Sequence, residues 1–374
     1  MNHIVLAYSG DLDSSIAIPW LAETYRADVA AVIVDIGQGG GLEEIRDRAL
    51  ALGAVRAHVV DARDEFARDF LFSALAAGAV SDGRAPLSHG LARMVITKRL
   101  VAIASLEGAS AVAHVSSSAS VSGASELAMD VAIQALDPVV AIIPVARVWS
   151  FTSAQKIEYA QRRGIPVPRA PQSTTVHRSL WGRVLSFDET WKDVPDDAFV
   201  LTKSAERSAD RMAHVEIEFD RGVPVAANGV AMSPVELIAS LDTIAAVHGV
   251  GRFDVVERRA SGSVVREAGE APAAAILGPA HEALRRLVTS RELDSLSSTL
   301  ADACAQAIFN GQWFSPAREA IDAFVAKVQE RVTGVIRLTL FKGQARVAGR
   351  QSPFALSDRD LANADSAVVV AGQE

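Results

Sequence analysis

Five short apolar runs, separated by windows of helical periodicity, organise the first half of the chain. Residues 3–7, 29–35, 55–61, 111–115 and 139–145 are rich in β-branched and small apolar side chains. Between them, the windows 14–25, 42–52, 91–107 and 152–163 space their apolar residues as amphipathic helices do. Strand and helix alternating at this spacing form right-handed crossovers, and a series of crossovers builds a parallel, doubly wound sheet. The expected fold is therefore α/β. Ligands in such sheets sit beyond the carboxyl ends of the strands, and the first such end is Ala7-Tyr8-Ser9-Gly10. The pattern changes at "GIPVPRAPQ", where prolines 166, 168 and 171 stop any helix. Beyond it, alternating runs at 215–219 and 335–341 mix with helical windows at 234–247 and 316–332. We expect a doubly wound domain over 1–168, an α+β domain over 169–352 and a weakly patterned tail over 353–374. A length of 374 residues is enough for two cores.

Composition excludes several classes. No charge-free apolar stretch approaches the roughly 18 residues that cross a bilayer, and Met1-Asn2-His3 leads into a strand pattern without the features of a secretory signal. The single cysteine, Cys304, rules out an internal disulfide framework and any cysteine-rich metal site, as suits a reducing cytoplasm. A net charge of −8, with lysines and arginines scattered, speaks against a nucleic-acid surface and against a membrane partner. Small molecules are the expected partners.

The stretch "IVLAYSGDLDSSIAI" carries the chemistry. A strand that ends in Ser-Gly and feeds a helix leaves backbone N–H groups pointing outward at the positive end of the helix dipole, which is a site for an anion. Ser9, Ser14 and Ser15 add hydroxyl donors, and Asp13 would hold Mg²⁺ against a phosphate. An ordinary strand–turn–helix, with Asp13 as the capping residue and the serines beside it, explains the same residues. The Walker lysine and the GxGxxG spacing are both absent.

"LAYSGDLDSS" resembles the pyrophosphatase-type ATP loop of argininosuccinate synthetases, whose usual form is AYSGGLDTS. Further similar segments follow in the family's order: "DIGQG" at 35–39, "WSF" at 149–151, "GIPVP" at 164–168, "LWGR" at 180–183, "HGVGR" at 248–252, "SPAREA" at 315–320 and "VTGVIRLTLFKG" at 332–343. Together they span most of the chain. The resemblance implies a Rossmann-like nucleotide-binding domain of the adenine nucleotide alpha-hydrolase type. It also implies an ATP- and Mg-dependent ligase that adenylates the ureido oxygen of citrulline, releases pyrophosphate, and lets the amine of aspartate displace AMP. By the same resemblance Ala7, Tyr8, Ser9, Gly10, Asp11, Asp13, Ser14 and Ser15 would hold the nucleotide. Val34, Asp35 and Gln38 would lie beside it, with His114 at the fourth strand. Asp13 would be the catalytic metal carboxylate. His89, Arg93, Thr175 and Glu270 would face the acceptor substrate. Arg93 can equally be the solvated face of a helix, and Glu270 an exposed loop carboxylate. The resemblance further implies a homo-oligomer. The short apolar ending "DSAVVVAGQE" suggests a dimer or a loosened tetramer.

The departures fall on substrate-facing segments. Where the family carries a segment close to HGxTGKGNDQxRFE, this chain has "HVSSSASVSGASELAMD", which keeps His114 but has no lysine or arginine for an α-carboxylate. Ser88-His89-Gly90 stands for the family's Gly-Thr-Ser, and Arg84-Ala85-Pro86 for an upstream tyrosine. A Ser-x-Glu segment after "LWGR" is missing. Val264, Val265 and Gly269 stand for lysine, serine and tyrosine, and Ala273-Ala274-Ala275 for Gly-Gly-Thr. Asp11 replaces a glycine, and would be one of the few other residues to tolerate a left-handed backbone. Three functions follow as expectations: a ligase of this type with changed substrates, a genuine argininosuccinate synthetase, or a non-catalytic nucleotide-binding paralogue.

Overall fold

The structure, a computed structural model, describes residues 2–80, 85–116, 125, 127–149, 151–167, 175–187, 190–258 and 264–356. Its first part is built on one sheet. β1 (His3–Ala7), β2 (Asp28–Asp35), β3 (Arg56–Asp61), β4 (Ala111–His114) and β5 (Ala141–Pro144) run parallel in the order β3-β2-β1-β4-β5. All five expected runs are strands, with ends displaced by no more than two residues. The helices are α1 (Leu12–Tyr25), α2 (Leu42–Ala51), α3 (Arg63–Glu65), α4 (Phe72–Ala77), α5 (Ser88–Leu106), α6 (Ala128–Leu136), α7 (Val145–Val148) and α8 (Ser153–Arg162). Continuous apolar strands need cover on both faces. Ile4 and Leu6 pack with Ile16, Ile18 and Leu21 on one side of the sheet, while Val5, Val32 and Val34 pack with Leu91, Met94 and Val95 on the other.

The second part holds two antiparallel sheets. β8 (Ala213–Asp220), β9 (Val223–Ala227), β10 (Val230–Ala231), β13 (Gly334–Phe341) and β14 (Gln344–Gln351) form one, in the order β10-β9-β8-β13-β14. β6 (Thr175–Ser179), β7 (Gly182–Phe187), β11 (Arg252–Arg258) and β12 (Val264–Glu270) form the other, in the order β11-β12-β7-β6. Its helices are α9 (Pro234–Val247), α10 (Pro272–Val288), α11 (Arg291–Phe309) and α12 (Pro316–Gln329). Alternation along β8 buries Val215, Ile217 and Phe219 and exposes Glu218, the pattern of a sheet with one wet face. α9 opens with Ser233 and Glu236 capping each other's backbone amides, and Pro234 sits where a missing N–H costs nothing.

The two parts share a core. Between α3 and α4 the helix widens into a π-helical stretch, Phe66–Leu71, which turns Phe66, Phe70 and Leu71 inward. Phe70 stacks on Trp313 with ring centroids 5.2 Å apart. Arg318 donates to Ser73 Oγ (3.0 Å), and the Gln329 side chain donates to the Ala76 carbonyl (3.1 Å). Near the sheet's carboxyl edge the Leu180 N–H donates to the Ile36 carbonyl (2.8 Å), so the β6–β7 hairpin rests on the loop after β2. Gly37 permits that approach: its φ is +85°, and a Cβ there would lie 2.5 Å from Leu180 Cγ.

Candidate nucleotide site and acceptor pocket

Strand order reverses between β1 and β4, because β1 leads to β2 on one side while β4 and β5 lie on the other. The crevice beyond their carboxyl ends is where an open α/β sheet takes its ligand. Its walls are the loop from Tyr8 to α1, the loop after β2 and the end of β4.

The first loop is built stepwise. The Tyr8 N–H still bonds to the Val32 carbonyl (2.9 Å), which continues the sheet by one residue. Gly10 then takes φ +79°, and a Cβ there would meet Ile45 Cγ2 at 3.0 Å. Arg48 of α2 donates to the Gly10 carbonyl (2.9 Å). Asp11 follows in extended conformation, φ −73° and ψ 175°, and its Oδ1 accepts the Ser14 N–H (2.7 Å). Both expectations for the aspartates are thus corrected. Asp11, and not Asp13, caps α1, because only a side chain three residues ahead of Ser14 reaches that amide. The left-handed step belongs to Gly10, so Asp11 needs no unusual backbone.

What remains at the mouth suits an anion. The Leu12 and Asp13 amides, in the first turn, have no intrahelical acceptor. Ser9 is exposed, and its Oγ lies 3.1 Å from that of buried Ser14. Ser15 turns inward, its Oγ 3.2 Å from the buried Tyr8 hydroxyl. Ser15 therefore positions the strand end, and Ser9 with the amides faces the crevice. Asp13 Oδ2 pairs with Lys156 Nζ of α8 at 2.8 Å, and that ammonium lies 5.0 Å from the Trp149 ring centre.

Beside the loop, Asp35 Oδ1 accepts the Gly37 N–H (2.9 Å). Gln38 bonds at both ends, accepting from the Ile36 N–H (2.7 Å) and donating to the Val34 carbonyl (2.8 Å). Asp35, Gln38 and Val34 thus shape this wall with polar groups already engaged. At the end of β4, His114 is buried and its Nε2 lies 2.6 Å from Asp130 Oδ1. Ser116 N–H approaches Nδ1 at 3.3 Å, which assigns the proton to Nε2. Burial holds the His114 pKa below its ordinary value despite the Asp130 carboxylate, so the ring is a neutral strut. Asp130 also pairs with Arg147.

Two residues expected to face the acceptor, His89 and Arg93, lie near the start of α5, which packs on β6 and β7. His89 packs at a tilt against His177 of β6, ring centroids 4.0 Å apart, and its Nε2 has no hydrogen-bond partner among the described residues. Burial, then the nearby His177 and Arg93, push the His89 pKa well below its ordinary value. Arg93 is buried, not solvated: it donates to the Ser125 carbonyl (3.1 Å), and burial draws its pKa down to about 10. Thr175 pairs by backbone with Ser186, while its side chain lies outside the described residues.

Glu270 is placed otherwise than expected. It is fully buried at the end of β12, not in an exposed loop. Its Oε1 accepts the N–H groups of Leu201 (2.9 Å) and Thr202 (2.7 Å) and the Thr202 hydroxyl (2.8 Å), and Oε2 accepts the Val200 N–H (2.9 Å). Arg183 stands 3.7 Å away. Such a carboxylate organises the loop at 200–202 and has both oxygens engaged within the protein. Lys156, Asp130 and His177 went unnoticed in the sequence, since each acts through a partner distant along the chain.

Mg²⁺ suits the donor set. Among the described residues no cluster of three or more His, Cys, Asp or Glu could enclose a metal. One carboxylate at a phosphate-binding mouth is nevertheless how Mg²⁺ is usually met, with phosphates and water completing its octahedron. Asp13 stands at this mouth and is the carboxylate such an ion would meet, its Oδ2 here held by Lys156.

Comparison with known proteins decides the family. The arginosuccinate synthase N-terminal HUP domain matches residues 3–166, and the arginosuccinate synthase C-terminal domain matches residues 173–371. The chain is 43% identical to the argininosuccinate synthase of Symbiobacterium thermophilum over 97% of its own length and 91% of the relative's. It is 42% identical to that of Geobacillus thermodenitrificans (96% and 88%) and 41% identical to that of Gloeobacter violaceus (96% and 91%). The chain belongs to the argininosuccinate synthase family. Membership makes it an ATP-dependent ligase with Mg²⁺ as the accompanying ion, acting on small molecules. The HUP domain is the doubly wound sheet described above. No helix among the described residues is long and apolar enough to cross a membrane.

Proposed function

We propose that this enzyme condenses citrulline with aspartate at the expense of ATP. The observation that carries this reading is identity above 40% with argininosuccinate synthases across nearly the whole of both chains, together with a helix start whose amides face the crevice at the switch point. In this reading the amides of Leu12 and Asp13 and the Ser9 hydroxyl bind phosphate oxygens, and Asp13 holds the metal. Gly10 lets the loop approach the polyphosphate. Buried Arg93, with no carboxylate beside it among the described residues, meets the acceptor's negative group. We infer a cytoplasmic homo-oligomer, dimer or tetramer, which light scattering at micromolar concentration tests. The tail from 357 onward lies outside the described residues.

A second reading keeps the chemistry and changes the partners. It rests on the 114–130 segment, which has no lysine or arginine for the aspartate carboxylates, on His89 in the acceptor wall, and on Glu270, whose oxygens are all engaged. One assay separates the two. Purified protein is given ATP, Mg²⁺, citrulline and aspartate, and AMP, pyrophosphate and argininosuccinate are followed by chromatography. Turnover on the order of 10 per second supports the first reading. AMP release with another acceptor or amine, and none with this pair, supports the second. No AMP release from any pair would refute both and leave a non-catalytic nucleotide binder.

A further inference from the structure

The loop from Ser9 to Ser15 carries two carboxylates and no lysine or arginine. A triphosphate brings several more negative charges, and helix amides alone compensate such a polyanion poorly. Among the described residues, two cations reach the loop from elsewhere. Arg48 is committed to the Gly10 carbonyl. Lys156 is held on the Asp13 carboxylate, and that pair is half-buried at the crevice mouth, where water still reaches both groups, with side-chain exposures of 21% and 35%. An ion pair that water still reaches can give up its partner to a more highly charged anion.

The lysine is nonetheless held in place. Trp149 is buried and braced by Trp20 (5.9 Å) and Phe151 (5.6 Å), and the ammonium rests against its ring. α8 is anchored one turn earlier by the reciprocal cap of Thr152 and Gln155. A flexible stem on a fixed helix, ending in a point charge at the crevice mouth, is how lysine binds phosphate elsewhere. We propose that Lys156 is a phosphate-binding residue of this enzyme: it neutralises Asp13 in the free protein and transfers its ammonium to the β- or γ-phosphate when nucleotide enters. A cation missing from the loop is thus supplied by a helix more than a hundred residues further along.

The inference rests on reading Ser9–Ser15 as the phosphate loop, and the test separates the two. ATP, inorganic pyrophosphate and AMP, each with Mg²⁺, are titrated calorimetrically into the wild type, Lys156→Met and Lys156→Arg. Methionine keeps an apolar stem against Trp149 and removes the charge. The expected result is a loss of about tenfold or more in affinity for ATP and pyrophosphate in Lys156→Met, from one charge-assisted bond. AMP, which lacks the outer phosphates, should change by less than about twofold, and Lys156→Arg should recover most of the loss. Equal ATP affinity in the wild type and Lys156→Met, with only the melting temperature lowered, would overturn the inference and leave Lys156 as a strut between α1 and α8. A wild type that binds neither ATP nor pyrophosphate would overturn the phosphate loop and Lys156 together.

Discussion

Replacing Glu270 by glutamine tests whether this carboxylate holds the fold or the substrate. The side chain is fully buried and receives four hydrogen bonds of 2.7–2.9 Å from Val200, Leu201 and Thr202. A hydrogen bond to a charged group contributes about 1.5–3 kcal/mol. Glutamine can place its carbonyl where Oε1 was and keep three of the four, each weakened by loss of charge. Its amide nitrogen then faces the Val200 N–H, donor against donor. One lost bond, one buried donor without an acceptor and three weakened bonds sum to about 2–4 kcal/mol. Glu270→Ala orphans all four donors and opens a cavity, and should cost more than 4 kcal/mol, roughly the limit of single substitutions. Urea unfolding followed by circular dichroism reads both as a shift in midpoint at unchanged slope. A glutamine variant within about 0.5 kcal/mol of wild type, with the KM for the acceptor raised, would refute this reasoning and return Glu270 to the substrate.

Asp11→Asn keeps the capping oxygen and removes a negative charge at the phosphate mouth, so calorimetry should find ATP·Mg bound about threefold more tightly with stability nearly unchanged. An unaltered affinity would mean that the Asp11 charge is not felt by the phosphates. Burial pushes the Asp242 carboxyl up to about 6, although the Ala273 N–H (2.7 Å) and Arg178 oppose it. A folded-state pKa above the unfolded value means that this group stabilises most at low pH, and that the contribution is lost as pH rises from about 4 to 6. Asp242→Asn, whose carbonyl can still accept the Ala273 N–H, should therefore gain on the order of 2 kcal/mol at pH 7.5 and nothing at pH 4. Thermal melts across that range check it, and an equal gain at both pH values would sink it.

The parallel sheet was legible because each strand is apolar throughout, as burial on both faces requires, and because the helices between are long enough to show their period. The four-stranded sheet was not. β11 and β12 carry charges on their strands, Asp254 and Arg266 pairing across the register, so neither run looks like a strand in isolation. The strand–loop–helix turn was visible in "YSGDLDSS", yet which aspartate caps the helix depends on where α1 begins, and a shift of two residues exchanges their roles. Arg93 carried no sign of its burial, since α5 is covered on nearly every side and shows little polarity between its faces. Glu270 was misplaced for another reason. Its partners are backbone amides some seventy positions earlier, and an N–H group leaves no mark in the amino-acid code.

The stack of Phe70 on Trp313 bears on how such a chain can diverge. The aromatic side chains of the π-helical stretch are interior to the second part as much as to the first, with Phe66, Phe70 and, from α4, Phe72 in one continuous core with Ile308 and Ile321. A change of volume on one side of that seam must be met by a matching change on the other. The two parts are therefore coupled through their packing, whereas loop residues at the crevice can change without disturbing that core.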